Sequence, residues 1–167
     1  MLRAEALWQL GREEEAHKQI TQAQEKFVAD APEIGYLWSV ILSQKLGDRK
    51  ASEQVMIELL GRFPDHPAIN NDLAYNWTVE NRNLDQAKHM IEKAVQAEGQ
   101  NSAYLDSLGW VHYKLGRFKE AESWLRKSRT AQDGKGENPV IIDHLGDTLY
   151  RLGRPIDATR AWADAKA

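Results

Sequence analysis

The sequence has no cysteine among its 167 residues, and it has only 11 Gly and 5 Pro. The missing thiols exclude cysteine catalysis, disulfide bonds and Cys-ligated zinc, but they leave the cellular compartment open. Gly and Pro are too scarce for a collagen-like or disordered chain. The longest apolar stretch, YLWSVIL, is far shorter than the roughly 18 residues of a membrane-spanning helix. No membrane insertion is therefore expected. The N-terminal stretch MLRAEALWQLGREEE carries charge from Arg3 onward and has no apolar core of the kind a signal peptide needs, so no signal peptide is recognised.

Charge is also nearly balanced, with 22 Lys and Arg against 25 Asp and Glu and a formal net charge of -3. A protein that binds nucleic acid or an anionic membrane through its overall charge needs a basic surplus. The composition therefore disfavours both, and RNA binding by a helical repeat is disfavoured for the same reason. The length suits one ordinary domain with its own core.

Helix-ending residues recur along the chain at intervals of 34 to 37 residues. These are Gly11, Gly47, Asn81, Gly116 and Gly153. Two sets of mostly small residues repeat in phase with them, the first being Ala16, Ser52, Ala87, Ala121 and Ala158, and the second Ala23, Leu59, Ala94, Ser128 and Ala165. Gly or Asn is favoured where a helix ends in a left-handed residue, and small residues on one helix face let a neighbouring helix approach. The pattern indicates an internal repeat.

Within each repeat the apolar residues have helical spacing. In the last repeat Ile142, Leu145 and Leu149 form such a stripe, and His112 occupies the matching place in the repeat before it. We therefore expect His112 to be packed in the core and hydrogen-bonded. Ten helices joined by short turns are predicted, Pro155 opens the last of them, and no strand pattern occurs. The predicted fold class is all-α.

The stretch SAYLDSLGWVHYKLGRFKEAESWLRKS, residues 102 to 128, resembles the tetratricopeptide repeat (TPR) family. Leu108-Gly109, Tyr113 and Ala121 stand where that family has Leu-Gly, an aromatic residue and Ala. The stretch from Pro139 repeats the pattern, and the resemblance covers essentially the whole chain. It implies a right-handed superhelical solenoid of antiparallel helix pairs over residues 1–167. The expected units are 1–32 (truncated), 33–66, 67–101, 102–138 and 139–167.

Both ends of the predicted solenoid are unusual. The first unit begins after the start of its leading helix, and no polar closing helix follows the last unit. An unclosed solenoid end exposes an apolar face. We therefore expect the chain to be a piece of a longer protein, or its ends to pack against another subunit.

Catalytic and metal-binding patterns are weak. No two of the five His stand three or four residues apart, as a metal site on a helix would need. Ser107 and His112 lie on one predicted helix, whereas a serine nucleophile of the LDSLG type needs a strained turn after a strand. The GKG at residues 134 to 136 lacks the rest of a phosphate-binding loop. We predict no catalytic residue, no metal site and no cofactor.

A second stripe runs along the first, or leading, helix of each unit beside the core stripe. The resemblance implies that this stripe lines the concave face of the solenoid, where such proteins hold an extended peptide or a partner helix. In the unit from Glu33 it contains Leu37 and Ile41. The candidate partner-binding residues are Asn71, Tyr75, Asp106, Trp110, Tyr113, Asp143, Asp147 and Tyr150.

These residues predict the chemistry of a partner. The aromatic side chains can hold apolar or aromatic groups, and the three Asp favour Lys or Arg. Two alternatives stay open: Tyr113 and Tyr150 can equally serve contacts between repeats, and the Asp can form an ordinary solvated face. For Trp110 we expect no packing partner within its own unit, which favours a binding role.

One function of the family is excluded by this sequence. Co-chaperone TPR domains hold the carboxylate tail of a chaperone with Lys, Asn and Arg from successive leading helices. The matching places here hold Leu37, Ile41, Asp72, Ala103 and Ser107. These apolar, small and acidic side chains cannot bind two carboxylates, so a chaperone tail is not the expected partner.

The sequence therefore predicts a non-enzymatic scaffold that binds a protein or peptide. Two alternatives remain: a scaffold that self-assembles through its open ends as a homo-oligomer, and the substrate-recruiting TPR region of a larger enzyme or protease adaptor. A repeat fold hosts many unrelated roles. Partner identity, pathway and localisation are accordingly not predicted.

Overall fold

The computed structural model describes residues 12, 15, 18, 32–131 and 138–165. This part of the chain contains eight α-helices and no strand. They are α1 (Pro32–Gln44), α2 (Arg49–Arg62), α3 (Pro67–Val79), α4 (Leu84–Ala97), α5 (Ser102–Lys114), α6 (Phe118–Thr130), α7 (Pro139–Arg151) and α8 (Pro155–Asp164). The first two of the ten predicted helices, with Gly11, Ala16 and Ala23, fall outside the described residues.

Helix starts follow the local sequence. The side-chain oxygen of Asn101 accepts from the backbone N–H of Ala103 at 3.1 Å, and that of Asn138 accepts from Val140 at 3.0 Å. Such N-caps satisfy donors that have no partner inside the helix. Pro139 and Pro155 occupy first-turn positions of α7 and α8, where the missing N–H costs nothing. The prediction that Pro155 opens the last helix is confirmed.

The turns inside the helix pairs use the left-handed conformation that the repeat pattern predicts. Gly47, Gly116 and Gly153 have φ of 70°, 75° and 75°, and Asn81 has φ of 56°. A residue with a Cβ atom is strained there, with Asn the best tolerated after Gly. The recurring residues therefore mark the ends of α1, α3, α5 and α7.

The chain divides into two compact units, residues 1–64 and 65–167. In the described part of the first unit, α1 packs against α2 around Trp38 and Leu42, with Ala51 and Val55 contributed by α2. A Cβ atom on Gly35 would lie 2.9 Å from the side chain of Leu59, so the two helices approach closely there. That the whole chain forms one domain stays a prediction.

The second unit contains three helix pairs, α3–α4, α5–α6 and α7–α8, and each helix packs on the next one along the chain. The leading helices α3, α5 and α7 also contact their neighbours directly. The small residues Ala87, Ala121 and Ala158 are fully buried, as their spacing predicts. Leu125 of α6 packs with Ile142 and Leu145 of α7, which joins one pair to the next. These contacts hold the leading helices side by side.

No helix in the described residues combines the length and the apolar character that crossing a membrane would require.

His112 is buried in the second unit, with 8% of its surface exposed, as the stripe predicts. The expected hydrogen bond is wrong for Nδ1, because this buried atom has no partner among the described residues. Burial lowers the pKa of His112 below its usual value. Arg117 and Lys88 lower that pKa further, whereas Glu120 and Glu92 act in the opposite direction. The imidazole is therefore held in its neutral form.

This burial predicts a loss of stability in mild acid. The unfolded histidine has an ordinary pKa of about 6.5, so below that pH the unfolded chain binds more protons than the folded one and the free energy of unfolding falls. His112→Leu removes this contribution and copies the buried Leu149 in the matching place of α7. Between pH 7.5 and 5.5 the melting temperature of the variant should fall less than that of the wild type, by on the order of 2 °C.

Thermal unfolding followed by circular dichroism measures the difference. His89→Gln on exposed α4 surface is the control and should keep the pH response of the wild type. Equal responses of the wild type and His112→Leu would contradict the assignment.

Candidate functional site

The eight candidate residues all lie on α3, α5 and α7 of the second unit, and we call this set the leading-helix face. Their exposure differs widely. Asp143 and Tyr150 are exposed; Tyr75, Trp110, Tyr113 and Asp147 are partly buried; Asn71 and Asp106 are buried. The face is therefore partly a surface and partly a set of contacts between repeats.

A buried hydrogen bond between Asp106 of α5 and His144 of α7 lies at the centre of this face. Nδ1 of His144 is 3.0 Å from Oδ1 and 3.2 Å from Oδ2 of Asp106, and the two residues are 6% and 7% exposed. A carboxylate can only accept, so Nδ1 carries the shared proton. The carboxylate oxygens of Asp106 therefore face His144 of the next repeat rather than solvent.

Trp110 extends this contact into an aromatic stack. Its ring lies 3.9 Å from that of His144, at an interplanar angle of 12°, and 4.6 Å from that of Tyr113, at 6°. Tyr113 in turn meets Phe118 edge-on at 5.5 Å. The expectation that Trp110 has no packing partner within its own unit is wrong, since Tyr113 supplies one. Tyr113 contributes to the contact between repeats indirectly, because it stacks on Trp110, which in turn stacks on His144 of the next repeat. Such a contact is one of the two roles left open for Tyr113.

Two cations border this stack. Nζ of Lys114 lies 5.1 Å from the centre of the Trp110 ring. The guanidinium of Arg151 lies 4.4 Å from the centre of Phe118 and 5.9 Å from that of Tyr113. Cations over ring faces are attracted by the ring quadrupole. Sequence reasoning missed both residues, although each directly follows a candidate Tyr at the end of a leading helix.

The acidic part of the face lies on α7. Asp147 accepts a hydrogen bond from Nε1 of Trp162 at 3.2 Å, and Asp143 one turn earlier is exposed. Burial raises the pKa of Asp147, and the charge of Asp143 raises it further. The bond from Trp162 and the nearby His144 and Lys114 act against this rise. The negative charge of the exposed Asp143 therefore disfavours the charged form of the partly buried Asp147.

Trp162 was also missed by sequence reasoning, because it lies on α8 rather than on a leading helix. A Cβ atom on Gly146 would lie only 2.5 Å from Nε1 of Trp162, so the indole needs this glycine. Tyr150 has its ring 6.0 Å from the same indole. The Leu145-Gly146 pair of the repeat was the available signal for such a close approach.

At the other side of the face, α3 contributes a tyrosine and an amide. Burial raises the pKa of Tyr75, and the charge of Asp106 adds to this rise. Nδ2 of Asn71 donates to Oδ1 of Asp72 at 3.0 Å, whereas its buried Oδ1 has no partner among the described residues. The face thus continues from α7 through α5 to α3.

Exposed apolar surface completes the face on α7. Tyr150 is 58% exposed and Val140 is 48% exposed, both on the stripe of the candidate residues. Single exposed apolar residues are ordinary, but these two belong to one face with aromatic neighbours. In the first unit, described by itself, Leu37 of α1 is 48% exposed on the equivalent stripe.

Family models described as tetratricopeptide repeat match residues 79–135 and residues 1–17. A curated relative, the TPR repeat-containing protein PA4667 of Pseudomonas aeruginosa, is 27% identical over 129 residues. The match covers 77% of this chain and 21% of that protein. The chain therefore spans about a fifth of the length of this relative.

Solved structures with the same fold extend over nearly the whole chain. MamA from Desulfovibrio magneticus RS-1 superposes with a TM-score of 0.75 at 17% identity, covering 98% of this chain and 89% of that one. The thermophilic TPR protein TTC0263 of Thermus thermophilus has a TM-score of 0.68 at 22% identity, with 97% and 86% covered. PilF of Pseudomonas aeruginosa has a TM-score of 0.71 at 16% identity, with 99% and 72% covered.

The fold class predicted from the sequence, an all-α TPR solenoid, is confirmed by these likenesses. The left-handed turn residues and the small buried residues fall where the repeat needs them. Two family models and a curated relative carry the same repeat. In sequence and in fold the chain is therefore similar to tetratricopeptide repeat proteins.

Proposed function

We propose that the second unit binds a segment of a partner protein on its leading-helix face. The TPR fold is in general a scaffold for protein interactions, and the particular face is the part we add. The observation that carries the proposal is the exposed pair Val140 and Tyr150 beside the partly buried aromatic stack of α5. Apolar and aromatic groups beside charged groups are the usual composition of a binding hot spot and its rim.

The exposure of each side chain indicates its proposed role in binding. Tyr150, Val140 and Asp143 are open to solvent and are the residues proposed to touch the partner first. Trp110 and Tyr113 are partly buried, so they offer the partner their exposed edges while holding the repeats together. Asp106 supports this surface from beneath through His144. A partner with apolar or aromatic and basic side chains, extended or helical, suits such a face.

We also propose that the chain carries no catalytic activity of its own. Ser107 donates its hydroxyl to the carbonyl of Ala103 at 3.0 Å within α5, as an ordinary helical serine does. Two of the places that would hold a chaperone carboxylate are occupied by Asp72 and by the exposed Ala103, and neither residue offers a cation. A protein or peptide partner of another kind is therefore expected.

A random twelve-residue peptide library displayed on phage, selected on the immobilised protein, tests the proposal. The affinity of a selected peptide is then measured for the wild type and for the double variant Val140→Ser/Tyr150→Ala. Both residues are exposed, so the fold should be preserved while the apolar contact is lost. We expect the dissociation constant to rise at least about ten-fold, because two hot-spot contacts are each worth about 1 kcal/mol or more.

The matched control is Ile156→Ser, which removes an exposed apolar residue from α8, 71% exposed and off the face. Its affinity should equal that of the wild type. Sedimentation velocity on each protein separates peptide binding from self-association, the homo-oligomer alternative. The proposal would be contradicted if the double variant and the control weakened peptide binding equally, or if neither variant weakened it.

A further inference from the structure

We propose that the segment bound on the leading-helix face is zwitterionic, with a basic and an acidic side chain on opposite sides of an apolar one. This inference rests on the proposed function and specifies the charge pattern of its ligand. The sequence alone predicts a partner with apolar or aromatic and basic side chains, and no acidic ones. The structure adds two cations beside this face, Lys114 and Arg151, with which an acidic side chain of the partner can pair.

Helix α7 carries opposite charges at its two ends. Asp143 lies in the second turn and Arg151 is the last residue. Eight residues separate them, which corresponds to about 12 Å along the helix axis. Tyr150, the most exposed aromatic of the face, lies beside the cationic end. A partner that runs along α7 from Asp143 therefore meets a carboxylate, the exposed ring of Tyr150 and a guanidinium in that order.

The cationic end is held in place by aromatic rings rather than by a carboxylate. Arg151 lies over Phe118 at 4.4 Å, it is exposed, and it makes no salt bridge with any described residue. Lys114 over Trp110 likewise has no salt bridge in the described part of the chain. Ring stacking leaves the N–H groups at the guanidinium edge free, and these donors match a carboxylate in bidentate geometry.

The acidic end of α7 is marked by Asp143, whose carboxylate can pair with a basic side chain of the partner. Asp143 is exposed and without a salt bridge among the residues that the structure describes, and it lies close enough to Asp147 to raise the pKa of that carboxyl. A cation from the partner would relieve this repulsion. The nearby Lys114 acts on Asp147 but not through a salt bridge. A partner's Lys or Arg therefore has a defined place beside Asp143.

Some of the cations and carboxylates on the trailing helices are instead paired within the chain. Arg154 pairs with Glu122 at 2.8 Å and with Asp157 at 2.7 Å, and Lys88 pairs with Glu92 at 2.8 Å. Those charges already have partners within the chain. Open opposite charges at the two ends of α7 favour a ligand that supplies both signs, since complementary charges fix the register of binding.

The same peptide library tests the inference. We expect the wild type to enrich peptides in which Lys or Arg and Asp or Glu flank an apolar residue, about four positions apart in an extended segment, which spans about 13 Å. Replacing the acidic residue of such a peptide by Gln should weaken binding about three-fold, and replacing the basic one should have a similar effect. Arg151→Glu should weaken the parent peptide about ten-fold and enrich basic residues at the acidic position.

Arg160→Glu is the control, since it makes the same change of charge at an exposed position of α8. It should select the same peptides as the wild type. The inference is overturned when the Gln peptides bind as tightly as their parent, or when the Arg151 and Arg160 variants select alike. Peptides that bind but are not weakened by Val140→Ser/Tyr150→Ala contradict the proposed function itself, and a library without any binder contradicts both.

Discussion

Asp106→Ala is expected to lower the free energy of unfolding of the second unit by about 2–3 kcal/mol, the scale for losing a buried hydrogen bond to a charged group. Asp106 is 6% exposed, and its carboxylate accepts a hydrogen bond from Nδ1 of His144 in the neighbouring repeat. Without it, the buried imidazole donor has no acceptor and the stack on Trp110 loses its support. Urea unfolding followed by circular dichroism measures the loss.

Asp143→Ala is the matched control, because it removes an exposed carboxylate from the same face. Its effect should stay within about 0.5 kcal/mol. A double-mutant cycle of Asp106→Ala with His144→Ala should give a coupling energy of about 1–2 kcal/mol. Additive single effects would show that the two side chains do not stabilise each other.

Gly109→Ala is expected to lower the free energy of unfolding by about 2 kcal/mol. A Cβ atom at this position would lie 2.6 Å from Cγ of Leu125 and 3.2 Å from the backbone nitrogen of the same residue. Leu125 is fully buried, so it has no room to move away, and overpacking of this kind costs about 1–3 kcal/mol. The better helix propensity of Ala, about 1 kcal/mol, offsets only part of this cost.

Gly61→Ala on α2 separates sterics from propensity. Nothing lies within 4 Å of a Cβ atom there, so this variant should be as stable as the wild type or gain up to about 1 kcal/mol. Stabilisation by Gly109→Ala as well would mean that α5 and α6 do not approach as closely as the structure has them.

The parts of the fold that could be predicted are those governed by local rules. Gly116 and Gly153 adopt positive φ because the chain must turn between two helices, and the sequence marks this directly. Ala121 and Ala158 are buried because a neighbouring helix needs the room. Each of these positions is set by its own helix and turn, so periodicity alone finds it.

The candidate site was less predictable, because its contacts join helices far apart in sequence. His144 lies on a leading helix, but the spacing of the sequence does not reveal that it pairs with Asp106, 38 residues earlier. Trp162 comes to Asp147 from a trailing helix, which no stripe on the leading helices reveals. For Trp110 no partner within its own unit is expected from the sequence, whereas it stacks on Tyr113 of that unit and on His144 of the next. Such pairs depend on side-chain direction across an interface, which spacing does not encode.

The most direct test of the central claim, that a partner segment lies on the leading-helix face, is site-specific photo-crosslinking. A benzophenone amino acid replaces Val140 on the face or Ile156 on α8, two exposed apolar positions of the same unit. The selected peptide is added, irradiated and located by mass spectrometry. The proposal predicts crosslinking from position 140 and none from position 156. Crosslinking from position 156 alone would contradict it.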